Sequence, residues 1–199
     1  FKTFQIHFLQ IGNLYTFYYN ILMQNYQSTQ LFANYSVAIR QWRAQHSHCQ
    51  LLHGYALKFK VWFEAIDTSV NGGLDEMNWI VDYGGFKDAP LGNGLKSWMD
   101  EMWDHTLLIE KDDPQLETFK YLEELKLAKL VIMDKIGAES AARLVFEHFN
   151  ERLALTDGGR CKVVKVECFE NDKNSSIYYE IPEQQNEVEQ YKSKSNYEF

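Results

Sequence analysis

The feature that most constrains the fold of this chain is a segment near residues 54–66 in which apolar and polar side chains alternate. The odd positions of its centre are all apolar, whereas two of the even positions are lysine: Leu57, Phe59, Val61 and Phe63 against Lys58, Lys60 and Trp62. A period of two places these two sets on opposite faces of a strand. We therefore predict a strand at 54–66 with one face packed in a core.

Immediately before this strand lies a group of side chains that can carry chemistry. Three imidazoles and one thiol fall within eight residues: His46, His48, Cys49 and His53. A cysteine and a histidine four residues apart can act as a nucleophile or proton-transfer pair, or as metal ligands. A solvated polar loop is the alternative, and the residues alone leave both readings open.

Three further segments are predicted to be strands. The pattern at 30–39 is strand-like, and this segment can pair antiparallel with 54–66. Near the end of the chain, 161–169 and 176–180 flank a turn at 171–174 and form a second predicted pair. The sheet expected from these segments has four strands, all antiparallel.

Three helices are predicted between the two strand pairs. The first, at 95–102, has an apolar stripe at helical spacing, formed by Leu95, Trp98, Met99 and Met102. The second, at 114–126, begins with Asp113 and Pro114, a cap followed by proline at the first helical position. The third lies at 138–153. The order of elements predicts an α+β fold, with helices packed on one face of a four-stranded antiparallel sheet.

Composition excludes some classes of partner. The chain has 20 Lys and Arg against 28 Asp and Glu, a formal net charge of -8, and no basic patch. Nucleic acids bind through neutralisation of phosphates by basic side chains, so we expect no nucleic-acid partner. Cys49, Cys161 and Cys168 are an odd number of cysteines without framework spacing. They favour a reducing compartment, and we expect a cytoplasmic protein.

The two ends of the chain differ from its middle. Residues 1–22 are rich in aromatic side chains but interrupted by Gln, Asn and His, and they are too polar for a membrane span, so no membrane partner is expected. One hypothesis is that the protein starts at Met23 and that 1–22 lie outside the domain. The alternative is an added strand or helix packed on it. We predict one domain at 23–181 and a disordered polar tail at 182–199.

Short motifs in a particular order give the chain a resemblance to one enzyme family. They are Cys49-x-x-x-His53-Gly54, Val81-Asp82-Tyr83 followed by Lys87, Asp104-His105, Gly137-Ala-Glu139 opening a helix, and Val166-Glu167 in the penultimate strand. From about residue 32 to 180 the chain resembles the 6-pyruvoyltetrahydropterin synthase and 6-carboxytetrahydropterin synthase family. The resemblance implies the tunnelling fold (T-fold) and a homo-oligomeric ring with active sites between subunits.

The resemblance also implies a substrate and roles for individual residues. The family acts on 7,8-dihydroneopterin triphosphate, whose side-chain carbons must lose protons. Cys49 matches the proton-accepting thiolate, and Asp104 matches the acid that orients His105 as a proton shuttle. Glu167 matches the carboxylate that accepts two parallel hydrogen bonds from the pterin ring.

Three functions follow as expectations from the same resemblance. The four-residue spacing of Cys49 and His53 favours a lyase like 6-carboxytetrahydropterin synthase, which releases triphosphate and acetaldehyde and supplies the precursor of queuosine and other 7-deazaguanines. One alternative is the sister synthase, which eliminates triphosphate to give 6-pyruvoyltetrahydropterin. The other is a zinc-free, non-catalytic relative that binds pterins.

Zinc is the point at which the chain departs from the family. The resemblance implies a catalytic zinc on three histidines, but the matching positions read Ile39, His53 and Tyr55. Isoleucine has no donor atom, and a neutral phenol is a poor zinc ligand. Either His46 and His48 join His53 in a rebuilt three-nitrogen site, or the protein works without zinc.

Spacing is a second departure. Residues 106–136, between Asp104-His105 and Gly137, contain the predicted helix at 114–126, which the bacterial members of the family lack or shorten. We expect this added helix either to cover the pocket or to extend a contact between subunits.

Overall fold

The computed structural model describes residues 26–87, 94–156 and 159–181. The predictions made for 1–22 and 182–199 lie outside these ranges. Over the described part of the chain, no helix combines the length and the apolar character that crossing a bilayer requires.

The first two strands form the antiparallel hairpin that the alternation predicted. Strand β1 covers Gln27–Arg40 and strand β2 covers His53–Ala65. In their register, Ile39 lies opposite His53. The predicted face of β2 is confirmed, because its odd-numbered side chains from residue 57 onward are buried, whereas the even-numbered ones are only partly covered.

Within the described residues the sheet has six strands, so the prediction of four antiparallel strands was wrong. Strand β3 (Thr106–Glu110) runs parallel to β1, and strand β4 (Leu130–Met133) runs parallel to β3. Both lie within 106–136, where only a helix was predicted. All five residues of β3 are buried, and a strand covered on both faces shows no alternation by which a period of two could reveal it.

The last two strands complete the sheet on its other side. Strand β5 (Cys161–Phe169) pairs antiparallel with β2. Strand β6 (Ser175–Tyr179) pairs antiparallel with β5, which confirms the second predicted pair. The order across the sheet is β4-β3-β1-β2-β5-β6. The hairpin of β1 and β2 is therefore central.

Helices cover both faces of the sheet, which corrects the expectation of a single covered face. Helices α1 (Leu95–Trp103) and α3 (Ala138–Thr156) pack on the face that presents Phe59 and Phe63, and together they enclose the main core. Helix α2 (Leu116–Glu124) belongs to a separate cluster with Leu107 and Ile109 of β3. Because Leu108 between them belongs to the main core, α2 lies on the opposite face.

Ion pairs attach residues 106–136 to the end of β1. Arg40 pairs with Asp113, whose side chain is completely buried. Arg43 pairs with Glu110, a second buried carboxylate, and Lys135 approaches the same carboxylate at 3.4 Å. Buried carboxylates require such partners, because an unpaired charge out of water is strongly destabilising.

We predict that Arg40→Ala lowers the free energy of unfolding by about 3 to 5 kcal/mol, because Asp113 would stay buried without a counter-charge. Urea denaturation followed by circular dichroism measures this. Arg143→Ala is the matched control, since Arg143 pairs with Glu147 on the exposed surface of α3; it should lose only about 0.3 to 0.5 kcal/mol. Equal losses in the two variants would contradict the proposed role of the buried pair.

Candidate active site

The loop between β1 and β2 holds Cys49 beside the end of the hairpin. The backbone N–H of Gln41 donates to the Cys49 carbonyl at 2.9 Å, and the N–H of Cys49 donates to Ser47 Oγ at 3.2 Å. Arg40 Nε donates to the carbonyl of Gln50 at 2.8 Å. These bonds tie both sides of Cys49 to the end of β1, so the position of its thiol follows that strand.

Cys49 is the accessible thiol of the three. Its side chain is half-buried, whereas Cys161 and Cys168 are buried and none of the three forms a disulfide. Burial raises the pKa of the Cys168 thiol far above its usual value, and the nearby Glu170 and Glu139 carboxylates raise that pKa further. Cys168 therefore stays protonated, which leaves Cys49 as the thiol available for chemistry.

His53 presents an unused nitrogen. Its Nδ1 lies 2.8 Å from the Leu51 carbonyl oxygen, which can only accept, so Nδ1 carries a hydrogen. Its Nε2 is buried and has no hydrogen-bond partner among the described residues. A neutral ring with Nδ1–H leaves a lone pair on Nε2, which can accept a hydrogen bond or bind a metal.

Tyr55 and Glu170 complete a group of four side chains with Cys49 and His53, here named the mouth cluster. The rings of His53 and Tyr55 meet edge to face, with centroids 5.2 Å apart. Burial raises the pKa of the Tyr55 hydroxyl, and negative charge at Glu170 and at Cys49 adds to that rise. Burial likewise raises the pKa of Glu170; the charge of Glu139 adds to the rise and His53 opposes it.

Glu170 and Tyr55 were not predicted as functional residues. Glu170 follows β5 directly, and the pairing of Lys58 with Phe169 continues to place it opposite Leu57. Partners across an antiparallel pair share a face, so Glu170 lies on the face of β2 that carries His53 and Tyr55. The register of β2 and β5, had it been predicted, would have placed Glu170 on this face.

Asp104 and His105 are paired but lie away from the mouth cluster. His105 Nδ1 is 2.9 Å from Asp104 Oδ1, and the hydrogen bond from His105 lowers the pKa of the Asp104 carboxyl. Asp104 Oδ1 also accepts from the N–H of Ser36, at 3.5 Å. From Ser36 to Gln41, which binds the Cys49 carbonyl, an extended strand spans roughly 16 Å. One chain therefore does not bring this pair to Cys49.

Glu167 is also separate from the mouth cluster. It pairs with Lys60 in β2 and lies on the opposite face of β5 from the buried Val166 and Cys168. Its Oε1 accepts a hydrogen bond from Ser175 Oγ at 2.7 Å. Within one chain, Glu167 therefore faces away from the helices α1 and α3, whereas His53 faces toward them.

The chain does not assemble the expected zinc ligands. His46 and His48 are exposed, and the described ranges contain no group of three or more His, Cys, Asp or Glu side chains placed to hold a metal ion. At the family's own positions, Ile39 is only 4% exposed and packs in the main core. The donor set present does not fit a tetrahedral zinc site.

Solved structures share this fold. A protein of Wolinella succinogenes described as uncharacterised aligns over 79% of this chain and 99% of its own, with a TM-score of 0.64 and 21% identity. The 6-pyruvoyl tetrahydropterin synthase of Caenorhabditis elegans aligns over 80% and 98%, with a TM-score of 0.50 and 17% identity. These likenesses establish the T-fold architecture.

Curated relatives match a shorter stretch. The 6-carboxy-5,6,7,8-tetrahydropterin synthase of Rickettsia felis is 31% identical over 68 residues, and that of Rickettsia bellii is 32% identical over 68 residues. Each match covers 34% of this chain and 41% of the relative. The chain thus spans less than half the length of the curated relatives it matches.

The family is established by a match along most of the chain. The family model described as 6-pyruvoyl tetrahydropterin synthase matches residues 29–181, and this confirms the resemblance seen in the motifs. The chain belongs to the 6-pyruvoyl tetrahydropterin synthase family, whose members are lyases of pterin metabolism.

Proposed function

We propose that this protein is a lyase that acts on 7,8-dihydroneopterin triphosphate and forms 6-carboxytetrahydropterin, the precursor of queuosine and related 7-deazaguanines. The observation that carries the proposal is the placement of Cys49 and His53 together at the end of the central hairpin where the loop connects β1 to β2. The Rickettsia relatives named 6-carboxy-5,6,7,8-tetrahydropterin synthase support this product over that of the sister synthase.

In the proposed reaction, the Cys49 thiolate accepts a proton from a side-chain carbon of the substrate. Asp104 orients His105, which transfers a proton to or from a side-chain hydroxyl of the substrate. Because these groups lie roughly 16 Å apart along β1 in one chain, we propose that Cys49 of one subunit works with Asp104 and His105 of another. A homo-oligomer is thus part of the proposal.

Glu167 is proposed to hold the pterin ring. A carboxylate can accept two parallel N–H bonds from the 2-amino group and N3, which fixes the rotation of the ring. Glu167 lies on the face of β5 that points away from α1 and α3, where a ligand or a neighbouring subunit has access to it. The side chain of Ser175, which donates to Glu167, supports this orientation.

A second candidate function is pterin binding without catalysis. Ile39 and Tyr55 at the expected ligand positions favour it, because zinc chemistry would require donors that these side chains lack. Turnover separates the two candidates directly.

The first test is Cys49→Ala. We expect the variant to lose acetaldehyde release from 7,8-dihydroneopterin triphosphate, while pterin affinity measured by fluorescence stays close to that of the unaltered protein. Cys161→Ala is the control, since it removes a buried thiol at the start of β5, whereas Glu170 of the mouth cluster follows the end of that strand. An active Cys49→Ala protein would eliminate the proton-acceptor role, and no turnover by the unaltered protein would favour the binding function.

The second test addresses shared sites. Cys49→Ala and His105→Ala should each be inactive alone, but co-expressed chains should regain activity, because some sites then combine an intact Cys49 with an intact His105. Size-exclusion chromatography verifies that the mixed chains assemble. Mixed oligomers without activity would contradict a site built from two subunits.

The third test is Glu167→Gln, for which we expect pterin binding to weaken by about 1.5 to 3 kcal/mol through loss of a charged acceptor. Glu180→Gln is the control, since Glu180 is an exposed acid that pairs with Lys162 at 2.8 Å. Isothermal titration with neopterin measures both. An unchanged affinity in Glu167→Gln would remove this residue from the site.

A further inference from the structure

The positions expected to bind zinc have kept their arrangement but changed their chemistry. Ile39 lies directly opposite His53 across the β1–β2 pair, and Tyr55 lies two residues farther along β2 on the same face. Side chains opposite each other in such a pair have Cβ atoms about 5 Å apart. The backbone therefore presents three neighbouring side chains on one face, of which only His53 carries a good zinc donor.

The space beside Ile39 and Tyr55 is small and mostly apolar. A cavity of about 20 Å³ lies between Ile39, Tyr55, Trp103, Met133 and Glu170. A single water needs at least roughly 10 to 15 Å³, so the cavity is the size of about one water. Ile39 fills the place of a first ligand with a buried hydrocarbon side chain, and a metal with its bound water would have to displace it.

The Nε2 atom of His53 is nevertheless placed to accept a hydrogen bond. The Leu51 carbonyl holds a hydrogen on Nδ1, and Nε2, which has a lone pair when the ring is neutral, is buried without a hydrogen-bond partner in the described part of the chain. Buried acceptors are ordinarily paired, so an unpaired one points to a group that the free protein lacks. The ring of Tyr55 lies beside that of His53, and its hydroxyl can both donate and accept a hydrogen bond.

We propose that this protein holds no zinc at the family's position and that His53 Nε2 instead accepts a hydrogen bond directly from a hydroxyl of the substrate's side chain, with the Tyr55 hydroxyl as a second contact. The proposal rests on the proposed function for its ligand, a pterin with a hydroxylated side chain. It makes His53 and Tyr55 substrate-binding residues that select such a side chain, in place of a metal that would bind its oxygens.

Zinc content is the first part of the test. The full chain, purified without a metal-affinity tag or chelators, is dialysed against zinc and analysed by elemental analysis beside Ile39→His/Tyr55→His, with circular dichroism to verify folding. We expect no stoichiometric zinc in the unaltered chain and about one zinc per chain in the double variant, because His53 would gain two nitrogen partners. Stoichiometric zinc in the unaltered chain overturns the proposal, whatever the double variant does.

Ligand selection is the second part. Fluorescence titrations use neopterin, which has a trihydroxypropyl side chain, and 6-methylpterin, which has a methyl group without hydroxyls in its place. We expect His53→Ala to weaken neopterin binding about tenfold, the effect of one good hydrogen bond, and Tyr55→Phe to weaken it less. Affinity for 6-methylpterin should not change in either variant.

The outcomes are distinguishable from failure of the proposed function. Equal weakening for both pterins in His53→Ala would assign His53 a structural role and overturn the proposal, as would an unchanged affinity for neopterin. If the unaltered chain bound neither pterin, the proposed function would fail and the hydroxyl contact with it, while the zinc measurement would still decide the question of the metal.

Discussion

The antiparallel register that places Ile39 opposite His53 is the constraint on which the rest of the structure depends. It sets the buried face of β2 against α1 and α3, and it fixes the end of the hairpin from which the Cys49 loop extends. His53 and Tyr55 share one face because they are two residues apart in β2, and the pairing of β2 with β5 places Glu170 on that face. A slip of one residue would turn each side chain of one strand to the other face, and the core and the mouth cluster would be lost together.

Sequence reasoning found the parts of the fold that have a clear period and missed those that lack one. Strand β2 could be predicted because one of its faces is buried and the other is only partly covered, and helix α1 could be predicted from its apolar stripe. Helix α2 begins at Leu116, so the predicted cap at Asp113 and first helical position at Pro114 were wrong. Strand β3 was not predicted, because its residues are buried on both faces and show no alternation. The placement of α2 on the second face followed from β3 and could not be predicted without it. Glu170 was missed because its place depends on the pairing of β2 with β5.

The motifs established the family, but its chemistry cannot be transferred whole to this chain. Cys49, Asp104, His105 and Glu167 are present, yet a single chain sets them in three separate places, so their cooperation depends on assembly. The three positions expected to bind zinc differ from these residues. Their backbone arrangement is kept, but two of the three donor side chains are absent. A motif match therefore locates the positions of the family's site in this chain, but it does not show that each position still carries the family's chemistry.

Arg40 has a consequence for how this protein can change. Its guanidinium pairs with the buried Asp113 of the segment 106–136, while its Nε donates a hydrogen bond to the carbonyl of Gln50 beside Cys49. The segment 106–136 and the reactive loop therefore share one anchor. Residues 106–136 therefore cannot be removed or replaced without loss of an anchor, and a variant that shortens this segment must also supply a new support for the loop that carries the thiol.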